Sequence, residues 1–191
     1  MSRFKPYQPL LLRLLHGIHA VLALAAAITG FWMYNTWDGR FGQLPLPKED
    51  PDSYFVHLGF GNNLYLILPV FAVYSLWTGR RRLVQPDSLH QLKQVGQTIW
   101  WYTLHRMVNT GLLLTITVAL ISGRLTIHKG LLNGILSDPW YNLHLVAWLV
   151  LVLLFVAHLL MIVKVGGVPL LLSIFDLKLR RFIGGVSREN R

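Results

Sequence analysis

Long uninterrupted blocks of apolar residues dominate the chain, over about residues 14–34, 57–78, 99–122 and 141–163. Each block is close to the roughly 20 residues that an α-helix needs to cross about 30 Å of hydrocarbon. Because backbone polar groups in lipid must be satisfied within the spanning structure, we interpret all four blocks as helices. The pattern predicts an all-α membrane protein, a four-helix transmembrane bundle whose helices we number spans 1 to 4.

Two segments outside the spans also have the character of helices. Residues 124–140, between spans 3 and 4, are long enough for a short helix on the membrane surface. Residues 169–191 mix apolar and basic side chains, a composition typical of an amphipathic helix lying in the membrane interface. We therefore expect one transmembrane domain over residues 1–168, followed by a C-terminal amphipathic tail. No internal repeat is evident.

Composition agrees with a membrane protein and narrows the possible cofactors. Of the 191 residues, 53% are hydrophobic and only 14% are charged, which is less charge than a soluble domain of this size normally carries. The chain has no cysteine, so disulfides, thiolate zinc sites, iron–sulfur clusters and covalently attached haem are excluded within it. Any metal must be held by histidine, methionine or carboxylate side chains.

The net charge of +10 is unevenly distributed around the spans. Fourteen of the 18 Lys and Arg residues lie before span 1, between spans 2 and 3 or after span 4, in these segments or at the adjoining span ends. The other four are Arg40, Lys48, Arg124 and Lys129. The positive-inside rule then predicts that both termini are cytoplasmic. Since topology explains the basic residues, we do not expect nucleic-acid binding.

Six of the eight histidines fall within or at the ends of the spans: His16, His19, His57, His105, His144 and His158. An ionisable residue inside a membrane is costly and indicates function by default. His144 and His158 lie 14 residues apart, so they share one face of span 4 and are separated by about 21 Å along its axis. One of them therefore lies near each membrane surface.

Each of these two histidines has a partner at matching depth. His57 opens span 2 at the outer side, opposite His144, and His16 opens span 1 at the inner side, opposite His158. Two such pairs suit two bis-histidine haem b groups for electron transfer, whereas two histidines alone make a poor zinc site. His19 is a rival to His16 on span 1. A single histidine of this kind is also often only a hydrogen-bonding packing residue.

At these residues the sequence resembles the bacterial di-haem cytochrome b family. That family includes the membrane subunits of formate dehydrogenases and nickel–iron hydrogenases, and a free-standing cytochrome able to oxidise superoxide. Its first helix typically reads Arg-x-x-His-Trp, then Ala, then Thr/Ser-Gly with the glycine fourteen residues past the histidine. The chain matches these spacings with Arg13, His16, Ala20, Thr29 and Gly30. It departs at Gly17, where the family has tryptophan. His57, Ser122-Gly123 and the pair on span 4 also match.

The resemblance implies a set of functional residues and partners. It assigns His16 and His158 to an inner haem b, and His57 and His144 to an outer one. It also implies a bacterial cytoplasmic membrane, a redox partner subunit and exchange of electrons with quinone near the inner haem. Further candidates lie near the inner side: Arg13 and Arg106 as propionate partners or as membrane anchors, and His105 and Asn109, four residues apart, as a quinone pocket.

The leading interpretation is an electron-transfer subunit that connects a partner redox protein to the quinone pool. A self-contained superoxide:quinone oxidoreductase is an alternative, although the loop 35–56 holds four acidic residues against Arg40 and Lys48 and would repel superoxide. The other alternative is a haem-free scaffold or transporter, in which the histidines are packing or proton-relay residues.

Overall fold

Four long helices make up the computed structural model of the protein, which describes residues 9–48, 50, 52–128 and 137–172, with side chains up to residue 167. The long helices are α1 (Leu10–Met33), α2 (Ser53–Thr78), α4 (Thr98–His128) and α5 (Pro139–Leu172). The shorter elements are a π-helical turn (Tyr34–Asp38), a 3-10 turn (Arg80–Arg82) and α3 (Ser88–Gln91). No strand occurs in the described part of the chain.

The predicted all-α membrane fold with four spans is confirmed. The helices long and apolar enough to cross a membrane are Leu10–Asp38, Ser53–Thr78, Thr98–Ile127 and Pro139–Gly167. They exceed the predicted blocks because hydropathy marks only the lipid-buried part of a helix, and the backbone hydrogen bonds continue into the interface. Residues 124–128 therefore belong to α4 and not to a separate surface helix.

The C-terminal region is described only in part. Helix α5 passes through a break at Gly167, whose φ of 68° and ψ of −178° are not helical, and ends at residue 172. The predicted amphipathic helix falls mostly on residues 173–191, and the remainder of the predicted surface helix on residues 129–136. Both segments lie outside the described residues.

The long helices form two hairpins, α1 with α2 and α4 with α5, which pack tightly within themselves and only loosely against each other. At mid-depth, Leu64 and Leu68 of α2 are buried against Ile116 of α4. Large apolar side chains elsewhere on the helices are exposed, such as Val21 and Leu153. In lipid these residues meet hydrocarbon, so the bundle needs no more core than this between its hairpins.

Polar contacts join the hairpins at two other levels. At the end that carries residues 39–48, which we call the outer end after the predicted orientation, Tyr141 of α5 donates to Asp38 Oδ2 at 2.9 Å. Arg40 donates to both Asp38 oxygens and to Asn142 Oδ1. The Asp38 side chain is only 1% exposed, and its hydrogen bond raises the pKa of Arg40.

Deeper in the membrane, Trp148 of α5 donates its indole N–H to the Ala27 carbonyl of α1 at 2.9 Å, and its ring stacks on Phe31 at a centroid distance of 5.7 Å. This contact lies one turn inside His144. It fixes the distance between the hairpins just below the outer end.

Candidate functional site

Two pairs of histidine rings face each other between the hairpins. The outer pair consists of His57 on α2 and His144 on α5, with ring centroids 6.2 Å apart and ring planes at 77°. The inner pair consists of His16 on α1 and His158 on α5, with the same centroid distance of 6.2 Å and planes at 29°. Each pair has one histidine on each hairpin, and the structure brings together the same partners that depth matching predicts.

The ring separation fits one metal ion between the two imidazoles of each pair. Metal–nitrogen bonds to histidine are about 2 Å, and the nitrogen lies about 1.1 Å from the ring centre, so two opposite ligands place their centroids about 6 Å apart. Within the described ranges no group of three or more His, Cys, Asp or Glu residues could hold a metal ion. A pair of histidines therefore suits a metal that brings its other ligands with it, as haem iron does.

Hydrogen bonds set the tautomer of His144. Its Nδ1 lies 2.8 Å from the Ala119 carbonyl oxygen and 3.5 Å from Ser122 Oγ. A carbonyl oxygen can only accept, so Nδ1 must carry the proton and donate it. Nε2 is then unprotonated, which is the form that binds a metal.

His57 is held in the same way by α1. Its Nδ1 lies 3.0 Å from Thr29 Oγ1, and the Ala26 carbonyl also interacts with the ring. The Thr29 hydroxyl donates its own proton to the Ala25 carbonyl at 2.8 Å, which leaves its lone pairs for the His57 N–H. Both members of the outer pair therefore present an unprotonated Nε2.

Asn109 of α4 orients His158 in the inner pair. The Asn109 amide donates from Nδ2 to the Arg82 carbonyl at 3.0 Å, so its Oδ1 is the atom 2.9 Å from His158 Nδ1. An amide oxygen accepts, and His158 Nδ1 therefore also carries a proton. Sequence analysis pointed to Asn109 as a quinone-pocket residue, whereas both of its polar groups have partners within the chain.

The remaining histidines of the inner end differ in their surroundings. Nδ1 of His16 is buried without a hydrogen-bond partner among the described residues, and so is Nε2 of His105. The His105 ring lies 5.6 Å from that of His158. His19, the rival ligand on α1, stacks its ring on Phe71 at 4.7 Å.

Three of the arginines at the inner end lie close to the histidines there or were candidates from the sequence. Arg13 lies one turn before His16 on α1 and is half-buried, while Arg106 donates to Gln91 Oε1 of α3 at 3.3 Å. Arg82, which sequence analysis did not single out, interacts electrostatically with His16 and with His105. Burial lowers the pKa of its guanidinium. Because Arg82 follows Arg80 and Arg81 in the sequence, the pattern predicted only a basic membrane anchor at this position.

Comparison with known proteins agrees with this geometry. The profile of the family described as prokaryotic cytochrome b561 matches residues 7–176, which include all four long helices and both histidine pairs. Vacuolar protein sorting/targeting protein 10 of Arthroderma gypseum is 37% identical over 49 residues, or 26% of this chain and 3% of that protein. The chain thus spans a very small part of that relative's length, and no solved structure matches the chain. The chain belongs to the prokaryotic cytochrome b561 family and is an integral membrane cytochrome b that functions in electron transfer.

Proposed function

We propose that the chain carries electrons across the membrane between a redox partner subunit at the outer end and quinone at the inner end, using two bis-histidine haem b groups. The observation that carries this proposal is the pair of equally spaced histidine sites, each with centroids 6.2 Å apart. His144 and His158 share α5 and lie about 21 Å apart along its axis. This separation supports one cofactor near each membrane surface.

Haem supplies one-electron oxidation and reduction when it is bound. The chain's own residues would hold the metal, with His57 and His144 at the outer site and His16 and His158 at the inner one. An imidazole from each hairpin at each site would keep oxygen from binding the metal. The buried Leu64, Leu68 and Ile116 form an apolar cluster at mid-depth, between the levels of the two histidine pairs.

His105 is the best candidate for a quinone contact. A buried ring nitrogen without a hydrogen-bond partner is costly, and a quinone carbonyl would satisfy it. His105 lies beside His158, and Arg82 lies near enough to favour negative charge there. In this proposal His105 contacts quinone and Asn109 holds the neighbouring ligand in place. The rival role for His105 and Arg82 is to bind a haem propionate.

The outer end is the proposed docking side for the redox partner, with both termini in the cytoplasm of a bacterial cell. Oxidation of superoxide by this chain alone would benefit from free positive charge at the outer end. The guanidinium of Arg40 is paired with Asp38 and does not supply such a charge.

The decisive measurement is the haem content of the purified protein. A pyridine haemochrome assay should give a haem-to-protein ratio near two after full reconstitution, with reduced-minus-oxidised bands typical of haem b. A preparation that saturates at one haem would overturn the two-site proposal. Quinol added to the haem-loaded protein should reduce it, and failure to do so would remove quinone from the proposal.

A further inference from the structure

A five-residue pattern, Ala-x-Ile-(Thr/Ser)-Gly, occurs twice in the chain. The copies are residues 26–30 (AAITG) and residues 119–123 (ALISG), so the second lies 93 residues after the first. Each copy lies near the outer end of the first helix of a hairpin. In each hairpin the second helix then brings a histidine of the outer pair against the pattern.

Further positions in the two hairpins are related by constant offsets. The offset of 93 residues also relates Arg13 to Arg106 and His16 to Asn109 on the first helices. An offset of 87 residues relates His57 to His144 and Phe71 to His158 on the second helices. The two histidines of the outer pair therefore occupy corresponding positions in the two hairpins. The two histidines of the inner pair do not, because His16 corresponds to Asn109 and His158 corresponds to Phe71.

Both copies meet the outer ligand through the same polar groups. In each, the hydroxyl of the Thr or Ser faces Nδ1 of the histidine. The Ala119 carbonyl accepts from Nδ1 of His144, and the Ala26 carbonyl interacts with the His57 ring. Both hydroxyls also donate to a carbonyl one turn earlier in their own helix. Each hydroxyl proton is therefore already used within its own helix, and the hydroxyl oxygen acts as an acceptor toward the histidine.

The glycine of each copy leaves room for the imidazole. A Cβ atom on Gly30 would lie 3.0 Å from His57 Cε1, and one on Gly123 would lie 2.9 Å from His144 Cε1 and 3.0 Å from its Nδ1. Glycine inside a helix is less favourable than alanine by about 1 kcal/mol. The close approach of a ring at both positions supplies a physical reason for keeping glycine there.

We infer that this pattern is a seat for the outer haem ligands, built once in each hairpin. Its glycine admits the imidazole against the helix, and its carbonyl and hydroxyl keep the proton on Nδ1 so that Nε2 faces the metal. The pattern's residues are positioning residues and do not contact the metal. The inference rests on the proposed function, since it assumes that His57 and His144 hold a haem.

The first test replaces the glycines. Gly30→Ala and Gly123→Ala should each displace one ligand and weaken haem binding at the outer site by about 10- to 100-fold, the usual effect of disturbing residues around metal ligands. The inner haem should remain. Gly61→Ala is the matched control, because it is also a helix glycine and its Cβ would meet nothing within 4 Å. Outer-haem occupancy equal to the control in both variants would overturn the seat.

The second test removes the hydroxyls without adding volume. It tests the inference independently if Gly30→Ala or Gly123→Ala fails to accumulate in the membrane. Thr29→Val should shift the midpoint potential and the ferric EPR signal of the outer haem, and Thr29→Ser should restore them. Ser122→Ala should have a smaller effect, because the Ala119 carbonyl, at 2.8 Å, still accepts from His144. An outer haem unchanged in Thr29→Val would contradict the inference.

The failure of this inference can be told apart from failure of the proposed function. His57→Ala removes the ligand itself and should abolish the outer haem. If His57→Ala retained both haems, the proposed function would be wrong. If His57→Ala lost the outer haem while the glycine and hydroxyl variants matched the control, only the seat would be wrong.

Discussion

Replacing Asn109 with leucine should weaken haem binding at the inner site and leave the outer site intact. The substitution removes the acceptor of the His158 Nδ1 proton, which lies 2.9 Å away, and the donor to the Arg82 carbonyl. Leucine is similar to asparagine in shape and only moderately larger, so the helix itself should persist. The effect then arises from the hydrogen bonds.

The expected magnitude follows from the unpaired imidazole N–H. A buried donor left without an acceptor costs about 1–3 kcal/mol. At about 1.4 kcal/mol per tenfold change in affinity, this is about a 5- to 150-fold loss of haem affinity at the inner site. The Arg82 carbonyl belongs to a turn at the membrane surface, where water can replace the lost donor, so it adds little.

The assay is haem titration of the apoprotein, followed by resolution of the two haems by redox titration and ferric EPR. The two sites should be distinguishable, because their imidazole planes differ, at 77° and 29°. Thr110→Val is the matched control: Thr110 accepts from Val84 N at 3.0 Å and so ties the same turn to α4, without touching a ligand. An Asn109→Leu protein with the inner-haem affinity of this control would refute the reasoning.

Three further predictions test the ligands, the quinone contact and the outer contacts. Alanine at either histidine of the outer pair should remove one haem component of the spectrum, and alanine at either histidine of the inner pair should remove the other. His19→Ala should keep both components. Loss of the inner component in His19→Ala would make His19, and not His16, the ligand on α1. His105→Phe should keep both haems but slow reduction by quinol, and an unchanged rate would place quinone elsewhere. Asp38→Ala should lower the free energy of unfolding by about 1–3 kcal/mol, because Tyr141 and Arg40 lose their acceptor, and thermal unfolding in detergent should register this loss. The exposed Lys48→Ala serves as its control, and equal midpoints in the two variants would count against a stabilising role for Asp38.

The four spans and the histidine pairs were predictable because the signals are local and periodic. Hydropathy over about 20 residues identifies a membrane helix, and a separation of 14 residues puts two histidines on one face whatever the rest of the fold does. Antiparallel topology then matches depths between helices. This reasoning requires no knowledge of side-chain packing, and it gives the same histidine pairs that face each other in the structure.

The roles of Asn109 and Arg82 were harder to predict, for two different physical reasons. Asn109 and His105 share a face of α4, but sequence spacing cannot say which neighbouring helix meets that face, and Asn109 meets His158. Arg82 follows two other arginines, so its charge carries no distinguishing signal, although it is the one that interacts with His16 and His105. Both roles depend on how the turn after α2 folds back on α4.

The recurring five-residue pattern was visible in the sequence but too short to register as a repeat. Its alanine and isoleucine look like ordinary span residues, and small residues near the ends of membrane helices are common. The constant offsets of 93 and 87 residues would have been the usable signal, since they relate Arg13 to Arg106 and His57 to His144 at once. Such a comparison requires aligning the two helices of each hairpin separately, because the lengths of their connections differ.

The loose packing between the two hairpins bears on how the protein is assembled in the cell. Helices in lipid gain no hydrophobic energy by associating, so only a small apolar cluster and a few polar contacts hold the two hairpins together after membrane insertion. Each histidine pair has one ring on either hairpin, and a cofactor bound between the two rings would therefore act as a cross-link between the hairpins. Haem delivery would then complete the bundle, and cellular haem supply would govern how much of the newly made chain escapes proteolysis.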